Sequence, residues 1–326
     1  MPMRLTKLIF AACVVLLLGA VAAYFYLNQQ TRRVVDERLD ALVQSGRYEE
    51  LSYADLQLTP GGDLHFTDLR MVQNGNTAVI GSLRVSDFDF QHDTPWHMDI
   101  QIDDLRFPDG LPATLTDSMT PATSTLVTDL MQDDTLPLSL HYRYRYTPED
   151  RDHLESEFDA ALPQAFTFSL DTTTRGIPLD VFGDSDLASA DPMASMSRLS
   201  NIMAQGELPN TRLTLTDQGL LDRVVESAGR DNNVSGEDFR TYLITQARNF
   251  YLFAPDGVQD DARNIGEQLA SFFEGGKTLR VQLQPEFDGS LARLQPQIMG
   301  AVLSGDFKQA LDLVNLTVET VTEGPL

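Results

Sequence analysis

The chain has 326 residues, of which 42% are hydrophobic, enough to bury a sizeable core and to exclude general disorder. Its 48 acidic side chains against 24 basic ones leave a net charge of −24, which excludes a general nucleic-acid binder because phosphate binding needs clustered positive charge. The single cysteine, Cys13, excludes an intrachain disulfide framework, a CxxC redox pair and a cysteine-based metal site.

A short basic stretch, residues 1–7, precedes twenty uncharged residues at 8–27. At about 1.5 Å per helical residue this run spans roughly 30 Å, the thickness of a bilayer core. It predicts a transmembrane signal-anchor with residues 1–7 cytoplasmic. Ala20-Val21-Ala22 also fits a signal-peptidase site, but the apolar run continues through Tyr24, Phe25, Tyr26 and Leu27, longer than a cleavable signal and aromatic as a membrane interface requires. Residues 28–326 carry 22 bases and 48 acids. With 34 Asp and only three Lys in the chain, this surface reads as halophile-like: dense carboxylates stay hydrated while salt screens their repulsion.

Beyond the anchor, Val35, Leu39 and Leu42 sit at helical spacing, so the spacing predicts a short polar helix over 31–45. Alternation with period two then predicts strands at 53–58, 64–71, 78–90, 98–107, 136–146, 153–161, 165–173 and 211–216, joined by turn-forming runs such as Pro60-Gly61-Gly62-Asp63 and Asn74-Gly75-Asn76. Together they predict an antiparallel meander with one buried face. Residues 111–135 and 178–206, rich in Asp, Ser, Thr and Met, read as connections with short helices around 126–131 and 192–204. From 217 the period changes. Leu221, Val224, Val225 and Ala228 share a helical face; Ser235 is placed to cap a second helix; Ile265, Leu269, Phe272 and Phe273 mark a third. A strand is predicted at 278–283, and Phe307, Leu311, Val314 and Val318 predict a fourth helix. The fold class expected is therefore α+β: an N-terminal transmembrane helix, a curved antiparallel β-sheet in residues 28–216, and a mainly helical C-terminal subdomain in 217–326 packed on that sheet.

Few residues point to chemistry. His92 and His97 stand among Asp87, Asp89, Asp93 and Asp99, but Pro95 prevents a helical presentation and strand alternation separates them, so exposed loop histidines are the better reading than zinc. Asp231, Asn233, Ser235 and Gly236 follow the start of a calcium loop, yet Tyr242 occupies the position that needs a bidentate carboxylate, which favours the helix cap. No GxSxG elbow or P-loop occurs; Ser82 follows Gly81 in an alternating strand and no nearby histidine is tied to it. In residues 141–146, Tyr142, Tyr144 and Tyr146 share a strand face opposite His141, Arg143 and Arg145, so a sheet face is expected there before an anion site. No catalytic residue, metal ligand or cofactor is expected.

Leu56, Leu58, Leu64, Phe66, Asp68 and Leu69, then Ile80, Leu83, Val85, Ile102 and Leu105, follow the membrane helix in a pattern that resembles the opening module of AsmA-like bacterial envelope proteins. The resemblance covers about a quarter of the chain. It implies a sheet curled into an apolar groove, and a role in lipid or outer-membrane homeostasis. On that footing the chain is expected to be a single-pass inner-membrane protein, held by residues 8–27, with its C-terminal domain periplasmic. Leu83, Val85, Phe88, Phe90, Ile100 and Ile102 are the candidate lipid-groove residues. Two alternatives stay open: the same stripe packs on the C-terminal helices, or the protein is a non-enzymatic scaffold presenting those helices to an envelope protein.

Overall fold

The computed structural model describes residues 28–46, 48–89, 91–92, 94–110, 137–150, 152–177, 206–285 and 291–322. The anchor predicted at 8–27, the short helices predicted around 126–131 and 192–204, and Phe90 lie outside them. Among the described residues no helix is long and apolar enough to cross a membrane.

Helix α1 covers residues 28–44. Ten strands and one short flanking strand then form a single sheet: β1 (Glu50–Ser52), β2 (Asp55–Leu58), β3 (Leu64–Gln73), β4 (Asn76–Ser86), β5 (His97–Arg106), β6 (Leu138–Thr147), β7 (His153–Leu162), β8 (Phe166–Arg175), β9 (Glu207–Asp217), and, after three helices, β10 (Thr278–Leu283) and β11 (Leu316–Val321). The order is β1-β3-β4-β5-β6-β7-β8-β9-β10-β11, with β2 also on β3. Every pairing is antiparallel. The predicted meander is therefore present, and it forms one large, curved, open sheet in an α+β fold with six helices among the described residues. Short turns at Asn74-Gly75 (φ 51° and 73°) and elsewhere hold neighbours in register, since left-handed backbone at Asn and Gly carries little strain.

The helices follow β9: α2 (Leu220–Asp231), α3 (Gly236–Arg248), a 3-10 turn (Phe250–Phe253), α4 (Gln259–Phe273), α5 (Leu291–Ser304) and α6 (Phe307–Val314). Ser235 caps α3 as expected, its Oγ accepting from the Asp238 amide at 3.0 Å. Helices α3 and α4 approach closely because Gly266 has no side chain: a Cβ there would lie 2.2 Å from the Ala247 carbonyl oxygen. Two expectations fail here. The helix predicted through Val318 stops at Val314, because Asn315 adopts φ 44°, a left-handed conformation Asn tolerates. The following Leu-Thr-Val-Glu-Thr-Val run, with β-branched residues at four of six positions, forms β11 instead. Helix α5 was not foreseen, since Pro296 lies inside it and argues against a helix in sequence. The C-terminal region thus supplies the last two strands of the sheet as well as helices.

Helix packing on the sheet centres on its last strands, where α4 lies against β10 and β11; the Thr320 amide on the outer edge of β11 donates to Gln268 Oε1 at 2.7 Å. At the other end, α1 is tied to β2 by an Arg32–Asp55 ion pair and by Asn28 Oδ1, which accepts from the Leu58 amide at 3.2 Å.

Candidate functional site

The register joins half-exposed strands into one two-sided surface. Val85 pairs with Ile100 and Leu83 with Ile102, so four of the six predicted groove residues stand together on one face. From there the rows continue across the sheet. Leu64, Val85, Ile100, Tyr142, Phe158, Leu170, Leu213, Val281 and Val318 form one unbroken cross-strand row. Beside it runs Phe66, Leu83, Ile102, Leu140, Ala160, Phe168, Leu215, Leu279 and Thr320. Side chains of directly paired residues lie on the same face, so both rows line one apolar surface nine strands wide, about 38 Å at the usual ~4.8 Å strand spacing. Phe88 is half-buried beyond the end of β4 and outside the ladder.

The opposite face is its chemical inverse. Between the two apolar rows lies His65, Arg84, Gln101, His141, Asp159, Ser169, Thr214, Arg280 and Glu319, and not one of these nine is hydrophobic. His141 sits 3.1 Å from Asp99 and 3.4 Å from Asp159; Arg84 pairs with Asp63 at 2.7 Å and Arg143 with Glu157. A cleft of about 430 Å³ opens on this side among Asp87, Arg143, Arg145, Glu155, Glu157 and Asp171. Two guanidinium groups face four carboxylates there, and Arg143 and Arg145 are already engaged by Glu157 and Asp87. Burial, reinforced by neighbouring Glu157, pushes the Asp171 carboxyl upward. The cleft accordingly offers no vacant positive charge to an anion.

The apolar rows shift phase near β3–β5. Phe66 and Leu69, Leu83 and Ile80, Ile102 and Leu105 are three residues apart where alternation requires two, yet Leu69, Ile80 and Leu105 pack with Leu83, Ile102, Leu138 and Leu140. Asp68 and Asp104 absorb the extra residue in left-handed conformations (φ 50° and 60°), and Gly81 lies between them. A Cβ on Gly81 would come within 2.8 Å of the Asp104 carboxylate and 2.9 Å of its Cβ. Arg106 holds that carboxylate, Nη2 to Oδ2 at 3.0 Å. The consequence is a buried cluster, with Leu69, Ile80 and Leu105 exposed by 7, 3 and 9%, whereas Leu64, Val85, Ile100, Phe158, Leu170 and Leu213 remain half-buried and Tyr142 is 38% exposed.

The histidines serve local structure. His92 Nδ1 lies 2.6 Å from Asp89 Oδ2, and its ring stacks on Trp96 with centroids 3.7 Å apart and planes 11° from parallel. Asp89 also accepts from the Gln91 and Trp96 amides at 2.8 and 3.0 Å. Burial works to raise the Asp89 carboxyl, but these hydrogen bonds outweigh it and hold it down at about 2. Trp96 is therefore the anchor of the loop between β4 and β5. Among the described residues no group of three His, Cys, Asp or Glu side chains has the arrangement to hold a metal ion. One pairing escaped the sequence: His65 Nε2 lies 2.9 Å from Ser82 Oγ, across the β3–β4 register. It is a cross-strand contact on the charged face, beside the paired His65 and Arg84.

Fold and site together define an α+β protein built on an open two-faced sheet, one face apolar and one charged. A protein-family model described as "Uncharacterized protein" matches residues 159–321, half of the chain, and the protein belongs to that family. The match begins in β7 and ends in β11, so it takes in helices α2–α6, the end of β7 and strands β8–β11. No curated protein matches the chain.

Proposed function

We propose that this is a membrane-anchored envelope protein whose sheet holds lipid acyl chains on its apolar face. The observation that carries the reading is the pair of apolar rows crossing nine strands, still half-exposed over β4–β9 apart from Ala160 among the described residues. Isolated surface hydrophobics are ordinary, but a contiguous apolar surface of this extent marks a place where something apolar binds. A long hydrocarbon suits it better than a compact ligand, because the surface is a long, broad band crossing many strands. Taking about ten methylenes out of water there is worth roughly 8 kcal/mol before ordering is subtracted. The uncharged run at 8–27 supports a single-pass anchor in the inner membrane with the sheet on the periplasmic side. A sheet beside the bilayer has direct access to acyl chains, and binding of this kind needs no catalytic residue.

Native mass spectrometry with lipid extraction on the full chain tests this. The expected result is a stoichiometric phospholipid or fatty acid that is lost when Val85 and Ile100 are both changed to Asp while the circular dichroism spectrum is kept. A lipid-free protein would sink the reading. A second reading, a scaffold for an envelope protein partner, is favoured by the C-terminal helical region, where Leu252, Phe253 and Leu303 are 62, 78 and 81% exposed. Cross-linking in cells followed by identification of the captured protein separates the two: Phe253→Ser and Leu303→Ser abolish capture if the scaffold reading holds, and leave bound lipid unchanged if the acyl reading holds.

A further inference from the structure

The apolar face changes character along its strands. On β8 the face reads Phe166, Phe168, Leu170 and then Thr172, Thr174; on β9 it reads Leu215, Leu213 and then Thr211; on β7, Phe158 gives way to Ser156; on β6, Leu138 and Leu140 give way to Tyr142, Tyr144 and Tyr146. Register brings Tyr144, Ser156, Thr172 and Thr211 into one row. The hydroxyl-bearing residues are thus collected at one end of the strands, and the buried Leu105, Leu162 and Ala165 stand at the other.

A second, independent observation falls at the same end. Thr174 Oγ1, Arg175 Nε and Thr211 Oγ1 are buried and have no hydrogen-bond partner. Thr174 is 6% exposed, and its pairing with Leu154, which in turn pairs with Tyr146, puts it on the apolar face. Buried polar atoms are normally satisfied, and an unsatisfied one costs about 1–3 kcal/mol. Thr174 and Thr211 share the polar end of an otherwise apolar surface, the arrangement expected of a site that awaits an oxygen acceptor.

Resting on the acyl-chain reading above, we propose that this end of the sheet receives the carbonyl oxygen of the acyl group. Thr174 and Thr211 donate to it, and the chain runs along the strands toward Leu105, Leu138 and Leu162. From Thr174 to Phe166 the strand covers about 26 Å at ~3.3 Å per residue. One acyl chain reaches about 15 Å, half of a bilayer core, so a single chain fits with its head at the threonines. A free fatty acid and an acyl ester share this carbonyl chemistry.

The test is competition for tritiated palmitate on the full-length chain in amphipol, with palmitate, 1-monopalmitoylglycerol and hexadecane as competitors. The palmitoyl compounds are expected to compete about tenfold more strongly than hexadecane, the scale of one or two net hydrogen bonds. Thr174→Val with Thr211→Val is expected to remove that advantage and leave hexadecane unchanged; Thr174→Ser keeps it. Because each Val replaces an unsatisfied hydroxyl at nearly constant shape, the melting temperature should not fall. Better competition by palmitate assigns a free acid, and better competition by the glycerol ester assigns an ester. Equal competition by all three compounds, unaltered by the double variant, overturns the head-end assignment alone. Failure of the chain to retain any palmitate overturns the acyl reading on which it rests.

Discussion

Leu69, Ile80 and Leu105 on one side, and Phe158, Leu170 and Leu213 on the other, are similar residues on the same face of one sheet. The first three are sealed in a cluster and the second three remain half-exposed. What separates them is covering, and here the covering begins in the backbone. At Asp68, Gly81 and Asp104 the extra residue in β3–β5 turns Leu69, Ile80 and Leu105 inward, where Tyr53, Phe107 and Leu138 close over them. Strands β7–β9 have no such phase shift in their apolar stretch, and α4 packs mainly on β11, with β10 beside it. Apolar alternation therefore reports which face is hydrophobic, but not whether that face is a core or a binding surface.

The comparison can be broken most directly by truncation. Ile80→Ala is expected to cost about 3 kcal/mol of stability and Leu213→Ala only about 1 kcal/mol, because a sealed site leaves a cavity and an open one does not. Urea unfolding of both variants measures the difference, and equal losses would mean that β9 is covered as thoroughly as β4. Gly81→Ala sharpens the role of the phase shift: with Asp104 in the way, the added methyl should cost about 2 kcal/mol, again read from urea midpoints.

A smaller, local effect is expected at Asp89. Its carboxyl, held at about 2, lies below the ordinary value near 3.9 of an unfolded Asp. The stability it contributes is thus fully present above about pH 4 and is lost as the pH falls toward 2. Trp96, the one tryptophan of the chain, reports this: its emission should shift toward that of an exposed indole across that window, and in Asp89→Ala it should be shifted already at pH 7. At α1 the sign is reversed. Burial and the hydrogen bond to Asp36 push the Tyr53 hydroxyl up to about 12. Its contribution is complete below about pH 10, is lost as pH rises through 12, and should appear as one late step in the tyrosinate absorbance that Tyr53→Phe removes. The smallest change is expected on the charged face, where Arg143→Ala should alter stability by less than about 1 kcal/mol, since the exposed pair with Glu157 is screened by water.

The meander was legible in the sequence because each strand alternates and its turns carry Gly, Asn or Pro. Val85, Ile100, Leu83 and Ile102 were legible as a stripe for the same reason. Its continuation through Phe158, Leu170, Leu213 and Val281 was not, because alternation within a strand does not state its register against a distant neighbour. The phase shift left a trace, the three-residue step from Leu83 back to Ile80 and from Ile102 to Leu105, but only the left-handed Asp68 and Asp104 give it meaning. The end of α6 turned on a single residue, Asn315, whose left-handed conformation outweighed a helical spacing that extends to Val318. The unsatisfied hydroxyls of Thr174 and Thr211 leave no sequence signal, since the same residues in a paired environment would read identically.

The central claim, that the half-exposed apolar face is where acyl chains bind, is tested most directly by photo-cross-linking the full-length chain with a fatty acid carrying a diazirine at mid-chain. Peptide mapping should place the adducts on apolar-face residues of β4–β9, among them Val85, Ile100, Phe158, Leu170 and Leu213. Adducts confined to the charged face, or to the exposed helical residues Phe253 and Leu303, would contradict it.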